Sequence, residues 1–327
     1  MNLRQNIVVV LLLPLLLVLA AASIWYGGSE TMAEASAANE FILYQIRFPK
    51  TITAILAGAS LALSGMILQI VFRNPLAGPY VLGVSSGASL FVAIGMLTGT
   101  ALQAALPSVF NKLFIVSIAV FGSLLTTALI LAVAKKINSN VILLLIGLML
   151  AQLFGAAQMG LEYFSDPYNL KLFVIWGMGS LSTCTLEDLK LFAPLVVLLV
   201  LALFFKLKAL TAFLYGEEYA RSMGIDYKRE RFWLILIASV LTGLSTAFCG
   251  PIAFVGIAVP ILGRLMVQQA SLWQHFLLSI FLGAGVLLLA DVVSNNLVMG
   301  FTLPINVITT LFGAPVVIYL MFKTKQW

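Results

Sequence analysis

Very few side chains in this sequence could do chemistry, and their spacing decides what kind. The one ionisable residue inside a long apolar run is Asp291, in "LLLADVVSNNL". An acid at that depth is costly; it is either a proton or cation site or a structural carboxylate near a helix end. Asn295 stands one helical turn on, so an i,i+4 contact can satisfy the carboxylate, which favours the structural reading. The single histidine, His275, lies beside Trp273 and Gln274, and the two cysteines, Cys184 and Cys249, are far apart and lack partners at metal-ligand spacing. Neither a metal centre nor a disulfide framework is expected from such a set. The chain has no HExxH, no paired-carboxylate motif, no cysteine–histidine arrangement and no GxxxxGK(S/T); it contains no Gly-Lys dipeptide at all. It is therefore not expected to be an enzyme, to bind a cofactor of its own, or to hydrolyse ATP by P-loop chemistry.

The elements that carry these residues are dictated by composition. Of 327 residues 62% are hydrophobic and only 9% charged, against roughly a quarter charged in a soluble domain. A surface built from so few charges has lipid as its solvent. The net charge of +6 does not point to nucleic acid, because the basic residues form no stripe; they sit between apolar segments, where they orient a membrane protein.

A helix needs about 20 mainly apolar residues to cross a bilayer. Ten segments qualify: 5–26, 51–71, 80–98, 112–134, 141–162, 186–206, 231–249, 252–267, 275–298 and 304–322. The first resembles a signal peptide, but its long apolar core and the interfacial Trp25 and Tyr26 read better as a retained first span. The division at Cys249-Gly250-Pro251 is the least marked, and nine spans is the alternative count. With ten spans, one side collects Arg4, Arg73, Lys135, Lys136, Lys206, Lys208, Arg221, Lys228, Arg229, Arg231, Arg264, Lys323 and Lys325, 13 of the 18 basic residues. Arg47, Lys50, Lys112, Lys171 and Lys190 fall on the other. Cytoplasmic loops carry the excess of Lys and Arg, so both termini are expected in the cytoplasm. The expectation is an all-α integral membrane protein, 1–327, forming a single transmembrane domain.

Three polar pieces interrupt the apolar runs. "FRNPLAGPYVLGVSSGASLF", 72–91, places a proline-marked bend before a run of glycines and serines, which allows close helix packing or leaves room for a path. The loop of about 207–230, "LKALTAFLYGEEYARSMGIDYKRERF", mixes apolar residues such as Leu210, Phe213 and Tyr219 with Glu217, Glu218 and Arg221, around the punctuation of Gly216 and Gly224. Such a mixture fits a protein-docking element as well as an ordinary solvated loop. On the opposite side "YQIRFPK" offers Arg47 and Lys50 beside aromatics, either to an acidic partner or as anchors at the headgroups.

Read together, the blocks "RNPLAGPYVLGVSSGAS", "WGMGSLSTCTLEDL", "GEEYARSMGI", "GPIAFVGIAVPILGR", "LLLADVV" and "LPINVITTLFGAPVVIYL" resemble, in order from about 45 to 322, the FecCD/BtuC-type permeases. These are the membrane subunits of type II ABC importers for iron-siderophores, haem and vitamin B12. The resemblance implies ten helices, a multi-pass place in the bacterial inner membrane, and a second copy of the chain. It further implies two cytoplasmic ATPase subunits that carry ATP and Mg, and an extracytoplasmic binding protein. Carried over by position, Gly216, Glu217, Ala220, Arg221, Met223 and Gly224 match the ATPase-coupling helices, with Met223 in place of a usual leucine. Asn74 and Leu76, faced by the Ser139-Asn140 turn, match the cytoplasmic gate. Arg47 and Lys50 match the basic positions that meet the binding protein, Lys50 standing where arginine is usual. Gly78, Ile261, Asn295, Thr302 and Asn306 depart from the family pattern; an arginine often stands at the Asn295 position. An ion-coupled secondary transporter built on Asp291 is the alternative from a different class.

Overall fold

The computed structural model describes residues 3–26, 37–98, 108–134, 140–267, 271–297 and 302–323. Every regular element among them is helical. In chain order these are α1 (Leu3–Tyr26), α2 (Ala37–Ile42), a π-helical turn (Leu43–Arg47), α3 (Phe48–Val71), α4 (Val84–Ala93), a second π turn (Ile94–Thr98), α5 (Ser108–Ala134), α6 (Asn140–Phe164), α7 (Pro167–Gly177), α8 (Leu186–Phe205), α9 (Leu207–Tyr215), α10 (Glu217–Ser222), α11 (Tyr227–Cys249), α12 (Val255–Met266), α13 (Leu272–Asn296) and α14 (Ile305–Lys323).

Each of the ten apolar segments falls on a helix. Six helices among the described residues are long and apolar enough to cross a membrane; Leu11–Trp25, Val84–Thr98, Val255–Met266 and Ile305–Tyr319 are apolar but shorter. Within the 252–267 segment the helix is shorter than the apolar run. α12 has 12 residues, about 18 Å at 1.5 Å per residue, and the connector before it makes up the remainder. The chain before it is not helical: Gly250 turns at φ 73°, and Phe254 takes φ 66°, which a non-glycine residue adopts only under constraint. Part of that constraint comes from Asn306, whose Oδ1 accepts from the Ala253 N–H at 3.1 Å. Irregular backbone of this kind needs a protein donor or acceptor where lipid offers none.

The chain divides into two units, one made of 1–66, 179–200 and 252–327, the other of 67–178 and 201–251. In the first, α1 packs on α13, and α12, α13 and α14 pack on one another. In the second, α4 lies against α5, α6 and α11, and α5 also packs on α11. Small residues make these crossings close, as expected where helices gain nothing from excluding lipid. A Cβ on Gly58 would lie 2.2 Å from the Gly283 carbonyl oxygen, and one on Gly283 would lie 2.3 Å from that of Gly58. Between α5 and α11, Gly243 faces Ser123, and Thr127 donates to Ser239.

Burial separates core helices from outward ones. The apolar window of α3 is 89% buried, that of α6 only 17%, so α6 presents its leucines and methionines to lipid or to another protein. The glycine crossing generates a direct test. Gly58→Val is expected to force α3 and α13 apart and cost roughly 1–3 kcal/mol, seen as an earlier unfolding transition of the purified chain in detergent. Gly160→Ala, where a Cβ meets nothing within 4 Å, is expected to leave that transition unchanged or raise it slightly.

Candidate functional site

The connection from α8 to α11 is built to be stiff underneath and open on top. Gly216 joins α9 to α10 with φ 105° and ψ 172°, a backbone shape open to glycine and strained for other residues. Gly224, at φ 74°, ends α10, where the Met223 N–H bonds the Tyr219 carbonyl and the Ile225 N–H that of Ala220. Asp226 then caps α11 by accepting from the Arg229 N–H at 3.1 Å, the role short acids play at helix starts.

The underside is strapped down. Phe213 and Tyr227 stack with ring centroids 4.3 Å apart and planes at 13°. Lys206 Nζ lies 2.7 Å from Glu230 Oε1. Ala209, Leu210, Ala212, Phe213 and Ala220 are buried. The upper side is bare: Tyr215, Tyr219 and Met223 are exposed, with Met223 at 57%. Tyr215 and Tyr219 touch, centroids 4.9 Å apart. Around them stand Glu217, Glu218 and Arg221, all exposed, with Glu217 and Arg221 paired one turn apart. That surface pair adds little stability. An aromatic and methionine centre rimmed by charge is the composition of a protein-docking face.

Next to this loop lies the bend between α3 and α4. Arg73 takes φ 48°. Asn74 closes a turn on itself: its Oδ1 accepts from the Leu76 N–H at 2.9 Å and its carbonyl from the Ala77 N–H at 3.1 Å, a use of asparagine that replaces backbone pairing. Leu76 is left 37% exposed. Gly83, at φ 72°, caps α4, and a Cβ there would press to 2.9 Å on the Gly147 carbonyl oxygen. Two contacts tie bend to loop. Arg73 Nη1 comes within 3.5 Å of where Gly216 would carry a Cβ, and Arg231 Cζ sits 5.7 Å over the Phe72 ring. Of the residues read as a gate, Asn74 and Leu76 share this turn, Ser139 lies outside the described residues, and Asn140 is the first residue of α6.

The outer cations, read beside aromatics either as offered to an acidic partner or as anchors at the headgroups, are turned inward: Arg47 and Lys50 are both 4% exposed. Arg47 Nη1 donates to the carbonyls of Ile24 and Trp25, each at 3.0 Å, in the last turn of α1, where carbonyls lack helical partners. Lys50 Nζ lies 2.8 Å from Asp291 Oδ1. Asp291 Oδ2 accepts from Ser23 Oγ at 2.8 Å, and Ser23 Oγ is 3.0 Å from Thr51 Oγ1. Asn295 Nδ2 donates to the Asp291 backbone carbonyl at 2.6 Å and to Oδ1 at 3.2 Å. The Asn295 contact follows from spacing; the lysine and serine do not. What pulls the two cations inward is physical: carbonyls at a helix end and a carboxylate away from water both demand a donor.

The same unit holds a cavity of about 290 Å³ lined by side chains of α12, α13 and α14, with Thr309 the one polar residue in its wall. It offers nothing to coordinate an ion.

The comparisons with known proteins agree with one another. The model of the FecCD transport family matches residues 7–323. The vitamin B12 import system permease protein BtuC of Yersinia pestis is 33% identical over 324 residues, 98% of this chain and 92% of that protein. BtuC of Pectobacterium atrosepticum is 37% identical over 291 residues, covering 88% and 84%. Among solved structures, an inward-facing chain assigned to a metal-chelate type ABC transporter superposes with a TM-score of 0.86 at 29% identity, covering 97% of this chain and 99% of that one. PsaBC from Streptococcus pneumoniae, at 16% identity and a TM-score of 0.59 over 87% and 94%, shares the fold alone.

The buried pair can be tested by removing one charge or both. Lys50→Met leaves an uncompensated buried carboxylate and is expected to cost about 3–5 kcal/mol in detergent unfolding. The double variant Lys50→Met with Asp291→Leu is expected to recover most of that loss. Equal destabilisation in the single and double variants would contradict the pairing.

Proposed function

This chain belongs to the FecCD transport family, and from that premise we propose that it is the permease subunit of an ATP-binding-cassette importer carrying a metal chelate or corrinoid into the cytoplasm. The chelate class covers iron-siderophore and haem as well as vitamin B12. The observation that carries the reading is the α9–α10 pair: stacked onto α11 by Phe213 and Tyr227, it holds Tyr215, Tyr219 and Met223 out on a stiff base. A face that must transmit force has to be rigid behind and apolar in front, and this one is both.

In the proposed assembly the chain spans the bilayer ten times with both termini in the cytoplasm, in the bacterial inner membrane. It pairs with a second copy of itself, and α6, largely unburied, supplies apolar surface for such a contact. Two ATPase subunits bind ATP and Mg; this chain holds no cofactor. Closure of the ATPases would displace Glu217–Gly224, and the displacement would reach Asn74 and Leu76 through the bend that touches Gly216. Ser139 and Asn140 would complete the inner constriction. A substrate-binding protein delivers the cargo outside. Arg47 and Lys50 would serve that contact by holding the outer end of α3 in place, since their charges are committed to α1 and Asp291.

The ion-coupled alternative loses its motive. A coupling carboxylate has to trade partners with an ion, whereas Asp291 has a lysine, a serine and an asparagine on its two oxygens, and the cavity nearby is apolar.

Copurification tests the proposal. The wild-type chain, expressed with its cognate P-loop ATPase, is expected to bring that subunit through mild detergent. Met223→Asp combined with Tyr219→Ala is expected to weaken the association at least about thirtyfold. The unfolding transition of the isolated chain should stay where it was, because both side chains are exposed. A wild-type chain that retains no ATPase, or a variant that retains it fully, would overturn the assignment of this face.

A further inference from the structure

We propose that Arg231, seated on Phe72, is the positioning residue through which the α9–α10 pair sets the conformation of the Asn74–Leu76 turn. The inference rests on the importer reading and adds to it the side chain that joins the docking face to the bend.

Three observations carry it. The first is register. Tyr227 and Arg231 are four residues apart in the first turns of α11, so they project from one face of that helix. Tyr227 stacks on Phe213 of α9; Arg231 lies over Phe72 at the end of α3. One helix face therefore holds the loop with one side chain and the bend with the next. The Tyr227 hydroxyl, pushed above its ordinary pKa chiefly by burial, also feels the charges of Arg231, Glu217 and Arg73.

The second is what Arg231 does not do. Its Nε and Nη2 are buried and make no hydrogen bond among the described residues. Donors hidden from solvent without an acceptor carry a cost, and in this half-buried side chain the contact with the Phe72 ring offsets part of it, an arrangement arginine suits better than lysine. Phe72 is 1% exposed and has no freedom to follow the arginine without moving the backbone.

The third is the backbone that Phe72 would move. The next residue, Arg73, sits at φ 48° as the left-handed cap of α3, its N–H bonded to the Ile70 carbonyl and the Asn74 N–H to that of Gln69. This cap lies between the Phe72 contact on one side and the approach to Gly216 on the other. Asn74 and Leu76 follow directly in a turn closed by Asn74 itself. A shift of Phe72 changes the constraint on Arg73 and hence the presentation of Leu76.

The test uses the assembled complex and needs no knowledge of the cargo. Leu76→Cys is introduced as a reporter; the native Cys184 and Cys249 are buried. Labelling by a fluorescent maleimide is followed with and without ATP in the complex with the P-loop ATPase, alongside ATP hydrolysis, ATPase retention and unfolding temperature. In the reporter alone, ATP is expected to change the labelling rate roughly tenfold. Adding Arg231→Met or Phe72→Leu is expected to shrink that response to less than about twofold while hydrolysis and retention persist, and the two together to be no worse than either, as for residues in one contact. Arg231→Lys, which keeps a cation over the ring, is expected to keep part of the response, and it serves as the informative variant if Arg231→Met does not fold. The proposal is overturned if Arg231→Met keeps the full ATP response, or loses it only together with ATPase retention and unfolding temperature, which is the signature of a structural residue. Failure of the importer reading shows earlier and separately, as a reporter complex that retains no ATPase or does not respond to ATP.

Discussion

In hydrocarbon a backbone N–H or C=O has no solvent partner, and each one left unpaired costs several kcal/mol. Most of what this chain does with its sequence follows from that constraint. Long Leu-, Ile- and Val-rich runs close their own hydrogen bonds as helices, and helices surrounded by lipid attract one another chiefly through close contact. Hence the glycine-on-glycine approach of Gly58 and Gly283 and the Thr127–Ser239 bond between α5 and α11. Charge obeys the same rule: Asp291, 1% exposed, is tolerated because Lys50, Ser23 and Asn295 answer both of its oxygens.

The proposed functional elements lie where the helical solution is given up. Three breaks stand out. The 72–83 bend spends Asn74 on its own backbone; the α9–α10 junction spends Gly216; the 250–254 connector spends Asn306 and two residues at positive φ. Each break carries a specific residue to satisfy or relax the backbone, which an inert loop in water would not require. In the second unit two of these breaks touch, Arg73 against Gly216, and the helix beside them, α11, holds both with Tyr227 and Arg231. In the proposed assembly, a docking face in contact with this turn would be a means of passing motion from a partner to the membrane-embedded chain.

Much of this was legible in the residues. Apolar runs located each of the ten segments on a helix, because hydrophobic length is a one-dimensional property. The Gly216 and Gly224 punctuation located the short helices α9 and α10, because glycine at a chain reversal has a local cause. Asn295 under Asp291 followed from helical spacing. Three-dimensional partners were not legible. Arg47 and Lys50 read as outward cations because a sequence does not show that the last carbonyls of α1 and the carboxylate of α13 converge on them; a lone acid in an apolar run was the available sign that some base had to turn inward. The shortness of α12 was hidden because an apolar non-helical connector has the same hydropathy as a helix. Arg231 counted only as one more base on the cytoplasmic side, since nothing local distinguishes an arginine over a phenylalanine 159 positions earlier from one in water.

The central claim is that this chain moves cargo only when an ATPase drives it through the α9–α10 face. Uptake into proteoliposomes tests it most directly. The chain is reconstituted with its P-loop ATPase and its substrate-binding protein, and labelled cobalamin, haem and a ferric siderophore are offered in parallel, each with and without ATP on the ATPase side. The account predicts uptake of one of these cargoes that requires both ATP and the binding protein. Uptake by the chain alone, driven by a pH gradient, would contradict it and return Asp291 to the centre of the mechanism.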